Sequence, residues 1–386
     1  MRVGVDAMSW VNRRGYGRFA RNALARLVES DGESTYVFVI DDETARVSAL
    51  PEQAEVRAVA LRRAPTEAAG ADSQRPLTDL LRLSRAVAHE KLDVFLFPSV
   101  YTWFPVLRTP TVVGVHDLIA DERPELTLPG RADRARWRLK RKLAIRRAER
   151  IFTVSETSRG VVSRYLGVPP EGIAVVPEAP DPVFGPRAKG DVERALRPLG
   201  LFAGTGFLLY AGGISPHKDL ETLLDAFSSL PEPAPRLVLA GALEDETYLS
   251  SAATVRRRIA ELGLAERVVL TGHVPDETLA CLYAAALAFV SPSLSEGFGL
   301  PAVEAAASGT AVVLSDIPAH RETLGNAALY FTVGDAGALA ERLRHVIGDD
   351  TVRMQLGEAA KQQVAGLSWD AAAAALRTVL AEAARG

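Results

Sequence analysis

Two carboxylates, Glu296 and Glu304, frame the segment SLSEGFGLPAVEAAASG, Ser293–Gly309. Pro301 suits the first residue of a helix, where its missing N–H costs nothing, and Gly309 suits the stop. Gly297 and Gly299 let the backbone approach a ligand closely. The amides of Phe298, Gly299, Leu300 and Ala302 then lie at a helix N-terminus, which favours anionic or hydroxyl-rich ligands. Glu304 falls about one turn into that helix and Glu296 in the loop before it. A carboxylate can accept two hydrogen bonds from a diol, so the pair suits recognition of neighbouring hydroxyls. The plainer alternative is that both acids answer the helix macrodipole; the glycine-rich setting favours the ligand.

A second cluster lies in FLLYAGGISPHKDLETLLDAF, Phe207–Phe227. An apolar strand ends at Gly212 and Gly213, a short loop carries His217 and Lys218, and a helix pattern follows. A lysine there can reach a diphosphate resting at the helix start; otherwise it is a solvated loop charge, and His217 reads as surface polarity. The first turn, DAMSWVNRRGYGRFARNAL, places Gly15 and Gly17 between a strand and a helix. It is like a phosphate-binding turn but is not GxGxxG, and a lone GxG is weak. His116 and Asp117 follow the apolar strand TVVGV, at the end where doubly wound folds hold ligands. His116 is either a donor or catalytic group at a sugar or a satisfied structural histidine. CxxC, HExxH and Gly-x-Ser-x-Gly are all missing from the sequence, and no Asp-x-Asp pair suits a metal site.

These residues need a scaffold. RVGVDA, YVFVID, VFLFP, TVVGV, RIFTV and IAVVP read as buried strands in the first half, with helix periods at Gly17–Val28 and Arg75–His89. FLLYAG, RLVLAG, RVVLTG, LAFVSP and TAVVLSD read likewise in the second. Wholly apolar strands alternating with helices predict parallel sheets covered on both faces, here two doubly wound α/β domains. Six prolines between Pro169 and Pro186 mark a connector. The expected division is 1–185, 186–368, and a C-terminal helix 369–386 packing back on the first domain.

The length of 386 residues agrees with two domains. A net charge of −3 gives no global attraction to nucleic acid. The single cysteine, Cys281, forms no intrachain disulfide, and no run of about 20 apolar residues suggests a membrane span. With no signal-like N-terminus, the cytoplasm is the expected compartment. Arg131–Arg150 carries ten Lys or Arg against two acids, with Trp137, Leu139 and Leu143 as an apolar side. Such a helix can dock on anionic lipid or bind an anionic acceptor; a solvated basic helix is the alternative.

Taken together, the sequence resembles the retaining GT-B glycosyltransferases of the large family-four group, over nearly the whole chain. The resemblance rests on RRGYGRF, HDL, TVSETS with IAVVPEAPDPVF, YAGGISPHKDLETLLDAF, and VVLTGHVPDETLACLYAAALAFVSPSLSEGFGLPAVEAAASGTAVVLSDIPAHRE. It implies two Rossmann-like domains facing across a cleft, the first on the acceptor side and the second binding a sugar nucleotide. It implies that Glu296 holds donor-sugar hydroxyls, Glu304 the ribose, and Phe298, Gly299 and Leu300 offer amides to sugar and diphosphate. Lys218 would neutralise the diphosphate, Gly15 and Gly17 would let the first loop close over the phosphates, His116 would touch the sugar near the reacting carbon, and Val274 would border the base. Many members carry Arg where this chain has Gly213 and His217, which shifts phosphate charge to Lys218 and to a base such as Arg18. The SPxK form resembles a subgroup rich in mannosyltransferases, so GDP-mannose leads as donor. A glycan, glycolipid or small-molecule acceptor, no cofactor and no metal are expected. A sugar-nucleotide epimerase and a non-catalytic sugar-nucleotide-binding protein are the alternatives.

Overall fold

The structure, a computed structural model, describes residues 1–12, 15–62, 75–128, 130–202, 206–241 and 252–386. The chain divides into two units: Met1–Glu178 with Ser368–Gly386, and Ala179–Leu367. The division falls inside the proline-rich stretch, a little before residue 185.

The first unit holds a seven-stranded sheet: β1 (Arg2–Asp6), β2 (Thr35–Asp41), β3 (Glu55–Val59), β4 (Val94–Phe97), β5 (Thr111–Gly114), β6 (Ala148–Thr153) and β7 (Ile173–Val175). Their order is β3-β2-β1-β4-β5-β6-β7, and the paired strands are parallel throughout. The described helices are α1 (Gly15–Ser30), α2 (Asp42–Val47), α3 (Leu77–His89), α4 (Ile119–Glu122), α5 (Pro124–Thr127), α6 (Arg131–Arg147) and α7 (Glu156–Leu166). Strand β4, VFLF, is buried at all four positions, as a central parallel strand covered on both faces must be.

The second unit holds β8 (Phe207–Ala211), β9 (Arg236–Ala240), β10 (Val268–Gly272), β11 (Ala288–Ser291), β12 (Val312–Ser315) and β13 (Leu329–Phe331), in the order β10-β9-β8-β11-β12-β13. Its helices are α8 (Lys189–Leu196), α9 (Leu220–Ser228), α10 (Ala252–Glu261), α11 (Asp276–Ala285), α12 (Leu300–Ala307), α13 (Pro318–Leu324), α14 (Ala336–Gly348) and α15 (Asp350–Val364). Leu208, Leu223, Phe227, Leu237, Leu239 and Val313 belong to its core. In both sheets the first strand lies between the second and the fourth. Two successive crossovers therefore leave in opposite directions, and a crevice opens beyond the carboxyl ends of those strands. The doubly wound α/β class expected from the strand pattern is what the chain forms.

The last helix, α16 (Trp369–Arg385), belongs to the first unit. Ser368 caps it, accepting from the Ala371 amide at 3.2 Å. Buried Trp369 meets Phe19 of α1 with ring centroids 6.0 Å apart. Asp370 accepts from Arg26 of the same helix. The stretch Asp350–Arg385 has the length and apolar composition of a membrane span, but it is two helices, α15 and α16, broken between Val364 and Trp369.

Candidate functional site

In the second unit the loops after β8 and β11 meet at the crevice. Lys218 comes from the first and Glu296 from the second, and Lys218 Nζ donates to Glu296 Oε1 at 2.6 Å. Ser293 Oγ donates to the same oxygen at 2.6 Å. The Leu294 amide donates to the His217 carbonyl at 2.8 Å, tying the two loops together. Burial pushes the Glu296 carboxyl up, but Lys218, His320 and His217 outweigh it and hold the group at about 2. A buried charge is tolerated only when paired and hydrogen-bonded, and this one is both. Asp219, directly after Lys218, sits at φ 48, in the left-handed region that few residues other than glycine adopt.

Gly299 takes φ 89 and begins α12, with Pro301 inside its first turn. The amides of Phe298, Gly299 and Leu300 donate to no acceptor among the described residues. Glu304 projects from the buried side of α12 and accepts from Tyr283 OH of α11 at 3.2 Å. Gly213 is placed by its carbonyl, which accepts from the buried Tyr210 hydroxyl at 2.7 Å; the positive φ of that pair belongs to Gly212, at 146. Burial and the Glu296 charge push the Tyr210 phenol well up. Val274 lies half-buried in the loop after the edge strand β10.

One buried residue beside these groups was not singled out from the sequence. His320, in α13, is fully buried, and its Nδ1 lies 2.9 Å from the Ser315 carbonyl. Ser315 Oγ in turn donates to the Ser293 carbonyl at 2.6 Å. Burial pushes the imidazole pKa down. A lone histidine in SDIPAHRE has no local signal; only the return of β12 to the side of β11 brings it here.

In the first unit, a Cβ on Gly17 would stand 2.0 Å from the Asn12 carbonyl oxygen, so close backbone packing requires glycine there. Gly15 is exposed and has open space on its Cβ side. Arg18 is half-buried on α1, and Arg13 and Arg14 of the RRGYGRF motif lie outside the described residues. His116 is buried after β5 with its ring against Phe19, centroids 4.7 Å apart. Its Nε2 is 2.8 Å from the Pro98 carbonyl, so that nitrogen carries a proton, while Nδ1 faces Glu178 Oε1 at 3.5 Å. Both ring nitrogens are thus engaged within the unit.

The basic helix ends at Arg147, and Ala148–Arg150 already belong to β6, so the expected helix Arg131–Arg150 is too long. Its expected apolar side also divides. Trp137 is buried, stacked on Tyr101 at 5.1 Å, and donates to Asp121 at 2.9 Å, whereas Leu139 and Leu143 are exposed. The cations divide too. Arg141 pairs with Asp121, and Lys140 is half-buried with Nζ donating to the Tyr101 carbonyl at 2.6 Å. Arg131, Arg138, Lys142 and Arg146 face outward. Below this helix lies Asp6, at the end of β1. Burial pushes its carboxyl up to about 6, against the pull of Arg75 and Thr102, and burial pushes Lys140 down to about 7. Among the described residues no group of three His, Cys, Asp or Glu is arranged to hold a metal ion.

Two Rossmann-like units of this strand order in one chain define the GT-B class of fold. Solved structures agree: the sucrose-phosphate synthase of Thermosynechococcus elongatus superposes with a TM-score of 0.76 at 18% identity, over 98% of each chain. Anabaena HepE, crystallised with UDP and glucose, superposes with a TM-score of 0.75 at 17% identity, over 98% of this chain and 99% of that one. Residues 13–183 match the model of Glycosyltransferase Family 4, and residues 191–363 match that of Glycosyl transferases group 1. The chain belongs to this family-four glycosyltransferase group. Among its relatives, the O-antigen chain mannosyltransferase B of Escherichia coli is 34% identical over 58% of each chain. A D-inositol 3-phosphate glycosyltransferase of Corynebacterium aurimucosum is 28% identical over 71% of this chain and 66% of that protein. These matches span about three fifths to two thirds of the relatives' length.

Proposed function

We propose that the protein transfers a sugar from a nucleotide-sugar donor to an acceptor hydroxyl with retention of anomeric configuration, in the making of a glycan, glycolipid or glycosylated metabolite. The observation that carries this is the Lys218–Glu296 pair beside the amides of Phe298, Gly299 and Leu300, which have no acceptor among the described residues. It sets a cation, an ionised carboxylate and a helix N-terminus side by side, which is what a diphosphate joined to a polyol needs. GDP-mannose leads as donor, supported by the SPxK form and by the mannosyltransferase relative.

In this proposal Lys218 and the amides take the diphosphate, Glu296 takes sugar hydroxyls, Glu304 takes the ribose, Val274 borders the base, and Gly213 lets the phosphates approach. The bond from the anomeric carbon to the phosphate oxygen breaks, and its electron pair leaves with the nucleoside diphosphate. The acceptor oxygen bonds to the same face of that carbon, and its proton passes to the departing phosphate. Preorganised charge on Lys218 and the amides stabilises that departure, with no resident metal required. His116 is proposed to act near the reacting carbon. With Nε2–H held by the Pro98 carbonyl and Nδ1 facing Glu178, this role requires a donor sugar to compete with Glu178 for Nδ1.

A thermal-shift panel of GDP, UDP, dTDP and ADP, alone and as sugar conjugates, tests the donor, because stabilisation follows ligand concentration over Kd. Stabilisation by GDP-mannose above the others is expected; indifference to every sugar nucleotide would remove the reading. An α-linked product from an α-linked donor supports retention, and a β-linked product overturns it. Turnover in EDTA should equal turnover without it; a loss restored by Mg²⁺ would return a metal to the mechanism. Conversion of the donor without acceptor would favour an epimerase.

The outward face of α6, with Arg131, Arg138, Leu139, Lys142, Leu143 and Arg146, supports a peripheral seat on anionic lipid at the inner face of a membrane. Co-sedimentation with phosphatidylglycerol vesicles that fades with salt is expected; equal binding to neutral vesicles would sink it.

A further inference from the structure

We infer that His320 is a second hydroxyl acceptor of the donor-sugar subsite, and that with Glu296 it reads two neighbouring hydroxyls of the transferred sugar. The inference rests on the donor reading above. The hydrogen bond at Nδ1 fixes the tautomer: a carbonyl only accepts, so Nδ1 carries the proton towards Ser315 and Nε2 presents a lone pair. That Nε2 is closed off from solvent and has no hydrogen-bond partner. An acceptor left in this state is destabilising, and the fold keeps it unmet rather than pairing it internally.

Its direction is defined by Gly299. A Cβ built there would lie 3.1 Å from His320 Cδ2 and 3.6 Å from Nε2, so the ring flanks the segment that carries Glu296 and the free amides. The charges that the ring feels come from Glu296 and Lys218. In the chain alone, Lys218 and Ser293 both donate to Glu296 Oε1. A diphosphate competes for that ammonium. Once Lys218 turns to it, Glu296 keeps Ser293 Oγ but has acceptor capacity to spare, Nε2 is already unmet, and two adjacent sugar hydroxyls can supply one hydrogen each. No bond is made or broken in this exchange; three hydrogen bonds change partners.

The experiment compares His320→Asn with His320→Gln. Asn can keep the donor to Ser315 and lose the acceptor at Nε2; Gln can return an acceptor near Nε2. Calorimetry measures both variants and the wild type with GDP and GDP-mannose, and with UDP and UDP-glucose. For the pair the wild type binds, His320→Asn should weaken the sugar conjugate about tenfold and leave the bare nucleotide unchanged, and His320→Gln should restore most of the loss. Monodeoxy forms of the same donor give a second measurement needing no variant to succeed: the wild type should lose affinity for one of them, and His320→Asn should lose that discrimination. Equal weakening of nucleotide and conjugate, or an unchanged deoxy pattern, overturns the inference. A wild type that binds no sugar nucleotide overturns the donor reading itself, which is a distinguishable failure.

Discussion

Each sheet buries ionisable groups near the carboxyl end of its first strand, and the two clusters behave in opposite ways. In the second unit the opposite charges touch: Lys218 and Glu296 are 2.6 Å apart, and the carboxyl is held at about 2 despite its burial. In the first unit the charges are buried without meeting. Asp6 is pushed up to about 6, Lys140 down to about 7, and the Arg75 guanidinium nitrogens are buried without a hydrogen-bond partner. Burial alone therefore does not decide ionisation; contact does. One unit keeps its buried charge through a direct partner, and the other holds groups poised to lose theirs near neutral pH.

The comparison can be broken most sharply at the touching pair. Glu296→Ala and Lys218→Ala should each lower turnover about 100- to 1,000-fold with the fold intact by far-UV circular dichroism; wild-type turnover in either removes that residue from the site. Each single change also strands a buried partner, at about 3 kcal/mol. Glu296→Gln with Lys218→Met, which strands neither, should denature later in urea than either single variant.

The separated cluster should respond with the other sign. A carboxyl raised in the folded state adds stability below its unfolded value, and that contribution is lost as pH rises through about 6. Asp6→Asn keeps an acceptor for the Met8 amide, which donates to Asp6 at 3.1 Å. It should be more stable than the wild type by about 3 kcal/mol at pH 7.5 and equal to it near pH 4. Urea midpoints that differ equally at both pH values would mean that Asp6 does not titrate in the fold.

Smaller effects refine the second unit. Gly299→Ala must adopt φ 89 with the His320 ring 3.1 Å from its Cβ, and should cost about 1–2 kcal/mol in thermal unfolding. A neutral result would show that the loop can turn away from the ring. Tyr283→Phe removes the hydroxyl that Glu304 accepts from, and should cost about 1 kcal/mol with only a few-fold loss of nucleotide affinity. A large loss would make Tyr283 a direct ligand contact.

Much of this was legible locally. Gly299 and Pro301 mark the start of α12 because a left-handed cap and a first-turn proline are properties of single residues. The central strands announce themselves as apolar runs. The strands missed are both edges: β3, EVRAV, has four of its five residues exposed, and β13 has three residues. With one side unpaired, neither needs a continuous apolar run. The contacts of the site were not legible in the same way. Lys218 and Glu296 are 78 residues apart, and they meet because β8 and β11 are neighbours in the sheet. Gly17 was visible as a glycine, but its need, the Asn12 carbonyl, lies across the turn. His320 was invisible because its partners belong to β12 and the β11 loop.

The helix α16 carries a consequence for biosynthesis. It leaves the ribosome after the whole second unit yet completes the first, covering Phe19 and joining Arg26. The second unit, Ala179–Leu367, is fully translated before its predecessor can close. A premature stop before Trp369 would thus spare the half of the protein nearest to it and leave the distant amino-terminal half with a bare apolar flank, open to proteases and chaperones.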